Sequence, residues 1–101
     1  MGATTHTMRA NRIPGTLGAR EGYVLCWVEQ TTDAAVANDD ILSFKNVKHV
    51  IPVGIVSEIG SVIDFDASAA SGSDWLLTVN ATVLTTSTAA TRVEGLALIR
   101  F

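Results

Sequence analysis

A chain of 101 residues that is 48% hydrophobic, 6% aromatic and 17% charged, with a formal net charge of -3, describes one compact folded domain. This leaves no room for a two-domain enzyme, and the composition is too apolar and too weakly charged for a disordered chain. With one cysteine, Cys26, the chain can neither close an internal disulfide nor complete a cysteine zinc site, which suits a protein made in a cytoplasm.

The longest apolar run, Val50 to Val56, contains Pro52 and Gly54 and falls far short of the roughly 20 residues of a membrane helix. The Thr-rich start lacks the apolar region of a signal peptide, so neither a membrane span nor a secretion leader is expected.

Residues 1–22 carry Gly2, Pro14, Gly15, Gly18 and Gly22 among threonines, with scattered Met8, Ile13 and Leu17. Arg9, Arg12 and Arg20 lie here and no acid precedes Glu21, whereas all ten acids and four basic residues follow. An extended basic N-terminal arm, residues 1–22, is therefore expected ahead of an acidic β-rich domain, residues 23–101. Tyr23 to Val28 is rich in β-branched and aromatic residues and reads as a strand covered on both faces.

Ala34 to Asn38 has room for one helical turn capped by Thr32 or Asp33, and Asn38-Asp39-Asp40 reads as a turn. Ile41 to Phe44 is a short strand. In Val47 to Val56, residues Val47, His49, Ile51, Val53 and Ile55 share one face of an extended chain, and Pro52 makes this an edge strand, a bulge or a corner.

Ser57 to Asp66 alternates Ile59, Ile63 and Phe65 against Glu58, Asp64 and Asp66, and Ala67 to Asp74 reads as a connecting loop. The alternation of Trp75, Leu77, Val79, Ala81 and Val83 with their neighbours is the clearest strand pattern in the chain. After the Thr/Ala-rich Thr85 to Thr91, Val93 to Phe101 closes the chain as a strand whose Gly95 suggests a bulge. These elements amount to about five or six short strands, an all-β fold of the small antiparallel β-barrel or sandwich kind.

No arrangement of residues spells out a chemistry. Gly15, Gly18 and Gly22 lack the strand, the helix and the Gly-Lys-Ser/Thr ending of a phosphate loop. Asp64, Asp66 and Asp74 supply oxygen ligands for a cation but miss the glycine and closing glutamate of a calcium loop, and read as solvated carboxylates at strand ends. Asp39 and Asp40 read the same way. His6 sits in the arm, His49 on a half-exposed strand, and Cys26 reads as a core residue, so no triad is indicated. Tyr23, Trp27 and Trp75 could stack on single-stranded nucleic acid, but the acidic domain that carries them opposes a phosphate backbone, and they read as core anchors. No catalytic residue, metal, cofactor or small-molecule substrate is expected.

The polar arm from Met1 to Gly22, Thr/Ala-rich turns such as Thr31-Thr32-Asp33-Ala34-Ala35, the apolar C-terminal strand and the low aromatic content resemble the small virion proteins of tailed bacteriophages. The likeness is strongest to capsid decoration (cement) proteins, and it is one of texture, without a motif whose residues carry over. It implies a non-enzymatic virion protein, often trimeric, that clamps the capsid lattice. Its partners would be other copies of itself and the major capsid protein. In such a protein Arg9, Arg12 and Arg20 would meet acidic surface on a neighbour, and Met8, Ile13 and Leu17 would be buried in the subunit contact. A tail, neck or tube component and a free-standing β-barrel binding module are the rival readings.

Overall fold

The computed structural model describes residues 4–14, 22–31, 35–57, 62–80 and 92–101. Among these the chain forms seven strands and no helix: β1 (Thr5–Arg12), β2 (Tyr23–Gln30), β3 (Ile41–Phe44), β4 (His49–Ser57), β5 (Asp64–Ser71), β6 (Asp74–Asn80) and β7 (Val93–Arg100). They form one sheet in the order β4-β7-β2-β1-β3-β6-β5. The sheet curls until its two edges nearly meet: Val56 bridges Val62, and the Ile63 amide donates to the Ile55 carbonyl at 2.9 Å.

The all-β, barrel-like reading holds, with two corrections. The sheet is mixed rather than antiparallel, because β1 and β3 run parallel while every other pair is antiparallel. The second correction concerns the N-terminus, where no extended arm is evident. Thr5 to Arg12 is a strand inside the sheet, paired with β2 along one edge and β3 along the other. Its alternation explains why: His6 and Met8 face the core while Thr5, Thr7 and Arg9 face solvent. Deleting this strand would expose the backbone edges of both β2 and β3.

Residues opposite one another across the sheet point to the same side, so the register lays out the core in rows. Ile99 stands between Val24 and Val50, Ala97 between Cys26 and Pro52, and Leu42 between His6 and Leu77. Cys26, Val28, Leu42, Phe44, Val50, Ile55, Leu77, Val79, Val93, Ala97 and Ile99 are all buried. Burial drives the Cys26 thiol above its ordinary pKa, only partly offset by the charge of Arg12, so it behaves as the core residue its sequence setting suggested. Tyr23 is buried and Trp75 packs on the core, but Trp27 is 38% exposed on the outer face of β2, so that strand is not covered on both sides.

The segment around Pro52 behaves as its proline requires. β4 is an edge strand, and its register slips between Pro52 and Gly54, leaving Val53 as an extra residue. One inserted residue reverses the alternation, so Val50 faces the core before the bulge and Ile55 and Ser57 after it. The continuous face of Val47, His49, Ile51, Val53 and Ile55 is therefore broken, and Val53 is 58% exposed. The bulge expected at Gly95 lies across from it on β4, and Gly95 is the residue that lets it approach. A methyl group on Gly95 would sit 2.0 Å from the Gly54 carbonyl oxygen and 2.8 Å from the Ile55 Cα.

Ala67 to Asp74 is not a loop. Ala67 to Ser71 continues β5, and only Gly72 and Ser73 turn the chain into β6. Asn38 and Asp39 do form a turn, closed by the Asp40 amide on the Ala37 carbonyl at 3.1 Å, and Ala35 to Asn38 is not helical. The caps Thr32 and Asp33, with Ala34, Ile59 and Thr85 to Thr91, lie outside the described residues.

Replacing Gly95 with alanine is expected to cost about 3 kcal/mol, the upper end of overpacking penalties, since backbone rather than a movable side chain blocks the new methyl. Gly54→Ala meets nothing within 4 Å and should stay within about 0.5 kcal/mol of the parent. Paired urea denaturation curves check both.

Candidate functional site

Strands β1, β3, β5 and β7 run one way and β2, β4 and β6 the other, so the barrel has two distinct ends. One gathers the start of β1 with Gln30, Asp40, Asn80 and Val93; the other gathers Arg12, Tyr23, Phe44, His49, Ser71, Trp75 and Arg100. These are called the Asp40 end and the Phe101 end below.

At the Asp40 end, three buried polar side chains form one chain of hydrogen bonds. Asp40 accepts from His6 Nε2 at 2.8 Å, and Gln30 Nε2 lies 3.1 Å from His6 Nδ1. The Val93 amide fixes the direction of the whole chain: it donates to Gln30 Oε1 at 3.3 Å, so the Gln30 amide nitrogen must face His6. Gln30 then donates to His6 Nδ1, and the imidazole carries its proton on Nε2, aimed at Asp40.

Asp40 also accepts from the backbone amides of Thr4 at 3.0 Å and Ala37 at 2.9 Å. Burial works against the ionised carboxyl, yet the hydrogen bonds from His6, Ala37 and Thr4 outweigh it and hold the Asp40 pKa below its ordinary value. The expectation of a solvated acid is thus corrected for Asp40: its turn position is right, but the side chain points inward. No nucleophile is described against this pair, and its geometry is that of a structural clamp.

At the Phe101 end, Tyr23 OH hydrogen-bonds His49 Nδ1, and His49 packs edge-on against Trp75 with ring centres 4.7 Å apart. Arg100 lies over the Tyr23 ring at 5.6 Å and Arg12 over the Phe101 ring at 4.5 Å. Lys45 and the Asn46 amide both engage Asp74, at 3.0 and 3.3 Å. The Lys45 hydrogen bond lowers the Asp74 pKa, against a smaller opposing effect of burial. A cleft of about 530 Å³ opens beside these groups, lined by Lys48, Arg100 and Phe101 with Asn46, Gly72 and Ser73.

The third feature is an edge. β5 pairs only with β6, and its residues are exposed except for the half-buried Phe65. Its Ala67, Ser68, Ala69, Ala70 and Ser71 offer small side chains and neither lysine nor proline. Beside it, Val53 and Val62, 58% and 66% exposed, border a groove of about 290 Å³.

Residues expected to form subunit contacts have separate fates. Met8 is buried in the chain's own core, and Ile13 donates its amide to the Leu25 carbonyl at 3.1 Å. Arg9 pairs with Glu29 on the adjacent strand at 3.6 Å, and Arg12 stacks on Phe101. Leu17 and Arg20 lie outside the described residues. Asp64, Asp66 and Asp74 do not converge: Asp64 opens β5 opposite Asn80, whereas Asp74 opens β6 opposite Ser71, about 20 Å along the strands. Among the described residues no group of three His, Cys, Asp or Glu side chains could hold a metal ion. Tyr23, Trp27 and Trp75 do not make one stacking platform, since Trp27 faces outward toward Glu29.

The sequence carried one signal for the buried clamp, the placement of His6 between Thr5 and Thr7 in phase with Met8 and Ala10. Gln30 and Asp40 gave none. No family model, curated protein or solved structure matches the chain.

Asp40→Asn replaces an acceptor with a donor facing donor groups and should cost about 1–3 kcal/mol at neutral pH. Because the folded-state pKa of Asp40 is lowered, its contribution is present above the unfolded aspartate value of about 3.9 and is lost as pH falls through the folded value. Denaturation midpoints taken from neutral pH down into this range should fall for the parent and fall less steeply for Asp40→Asn.

Proposed function

We propose that the protein is a non-enzymatic virion structural protein of the capsid-decoration type, made in the host cytoplasm and binding the capsid lattice through its β-barrel. Its partners in this reading are other copies of itself, as a trimer or another closed ring, and the major capsid protein. The single observation that carries the proposal is the unguarded edge of β5 from Ala67 to Ser71.

The two edges of this sheet differ. β4 is blunted by Pro52, which cannot donate a ladder hydrogen bond, and by the bulge at Val53. β5 has a bulge of its own at Asp66, but beyond it the stretch from Ala67 to Ser71 carries neither proline, bulge nor charge, and proteins that keep such an edge open use it to accept a strand from another chain. The small side chains from Ala67 to Ser71 let a second backbone approach closely, while exposed Val53 and Val62 nearby add apolar area. The acidic composition and the resemblance in texture to small phage virion proteins favour a capsid as the neighbour. Contacts of this size are individually weak, and repetition over a lattice makes them effective.

In purified particles of the virus that encodes the chain, its peptides should occur in fixed ratio to the major capsid protein, with antibody label on the head surface. Label confined to the tail would move the protein to the tail, neck or tube reading, and absence from the particles would overturn both. Ala69→Lys should leave folding stability within about 0.5 kcal/mol, because Ala69 is exposed, while sharply lowering incorporation into particles.

A further inference from the structure

Among the described residues, the two ends of the barrel carry exposed charges of opposite sign. At the Phe101 end, Arg12, Lys48 and Arg100 are exposed, and none has a carboxylate within ion-pair distance among the described residues. Asp74, the acid described at this end, is engaged by Lys45. Arg12 and Arg100 instead rest on the faces of Phe101 and Tyr23, and Lys48 and Arg100 border the open cleft. A chain with ten acids and seven basic residues has carboxylates to spare, yet among the described residues none but Asp74 stands at this end.

The surplus lies elsewhere. Asp64 and Asp66 are exposed at the start of β5, at the Asp40 end. Asp39 is exposed beside them, its amide donating to the Val79 carbonyl at 2.8 Å, and Val79 stands opposite Phe65. The three carboxylates thus flank the same stretch of β6. The cation described at this end, Arg92, donates to the Gln30 carbonyl at 2.7 Å.

We propose that the two ends are complementary, and that the cleft bounded by Lys48, Arg100 and Phe101 receives the Asp39, Asp64 and Asp66 surface of a second copy of this chain. The contact is heterologous, joining different surfaces of identical chains head to tail, so it closes into a ring or extends into a stack according to the rotation between copies. Charge complementarity of this kind sets orientation and encounter rate, with the aromatic rings supplying a preformed platform for the cations. The inference rests on the assembly reading given above but needs neither a capsid nor the β5 edge.

The test uses the full chain and sedimentation velocity at about 0.01 M and about 1 M salt, where screening lengths differ by about tenfold. The parent should associate at low salt and lose at least about tenfold in association constant at high salt. Lys48→Glu with Arg100→Glu, and separately Asp64→Lys with Asp66→Lys, should each be monomeric at low salt. Mixing the two variants should restore a complex, because each retains the native end the other has lost. Lys48→Glu alone, at an exposed side chain outside the core, keeps the test valid if reversal at Arg100 disturbs folding. A parent that stays monomeric, variants that associate as the parent does, or a mixture that stays monomeric would each overturn the proposal. So would a parent that binds an oligonucleotide at low salt without associating with itself. A monomeric chain found on virions refutes the head-to-tail contact and leaves the virion role; an associating chain absent from particles does the reverse.

Discussion

The hydrogen-bonded chain from Asp40 through His6 to Gln30 is the constraint on which this barrel depends. The connection from β2 to β3 must cross the end of β1, because β1 lies between them in the sheet. Asp40 sits where that crossing rejoins the sheet, taking the Thr4 and Ala37 amides and the His6 proton at once. Gln30, at the last position of β2, receives the chain as it enters β7, through the Val93 amide on its side chain and Arg92 on its carbonyl. Both arrivals at this end of the barrel are thus held by one buried set of polar groups.

A buried polar set of this kind is a weak source of net stability and a strong source of specificity. Each member loses its hydration, and the hydrogen bonds regained roughly offset that loss. A register slip of one residue in β1 would turn His6 outward and leave Asp40 and Gln30 unpaired inside, at a cost far above that of an apolar mismatch. The parallel β1–β3 pair, in which His6 faces Leu42 and Met8 faces Phe44, has no tight hairpin to set its register, and the clamp supplies what a turn would otherwise do.

Much of the fold was legible because half-buried strands announce themselves by alternation. Trp75, Leu77 and Val79 did so, and Pro52 marked the guarded edge. Three features stayed hidden for physical reasons. β1 buries a histidine beside a methionine and exposes threonine and arginine, so its alternation is of direction rather than of hydropathy. β5 is exposed on nearly its whole length, so no burial selects its residues, and an Ala/Ser strand reads as a loop. Pro52 made a bulge one of the readings of β4, but the reversal of the buried face that it causes at Val53 is an effect no fixed period can follow. Of the candidate sites, the cations at the Phe101 end were visible as residues, but the strand directions that gather Arg12 with Lys48 and Arg100 are a property of the sheet.

The same directions explain why charge separates along the barrel. Inside, the Asp40 end is plugged by polar groups that consume one carboxylate and turn one arginine to a backbone carbonyl. Among the described residues, the exposed charges there are the carboxylates of Asp39, Asp64 and Asp66. The Phe101 end is plugged by aromatic rings, which satisfy no charge, so the arginines that lie over them remain available at the surface. A polar plug at one end and an aromatic plug at the other therefore give a small acidic protein one cationic end. β5 runs between the two ends, with Asp64 and Asp66 at the acidic one and Ala70 lining the cleft of the other, so a strand added along Ala67 to Ser71 and a copy docked end to end would meet on shared surface.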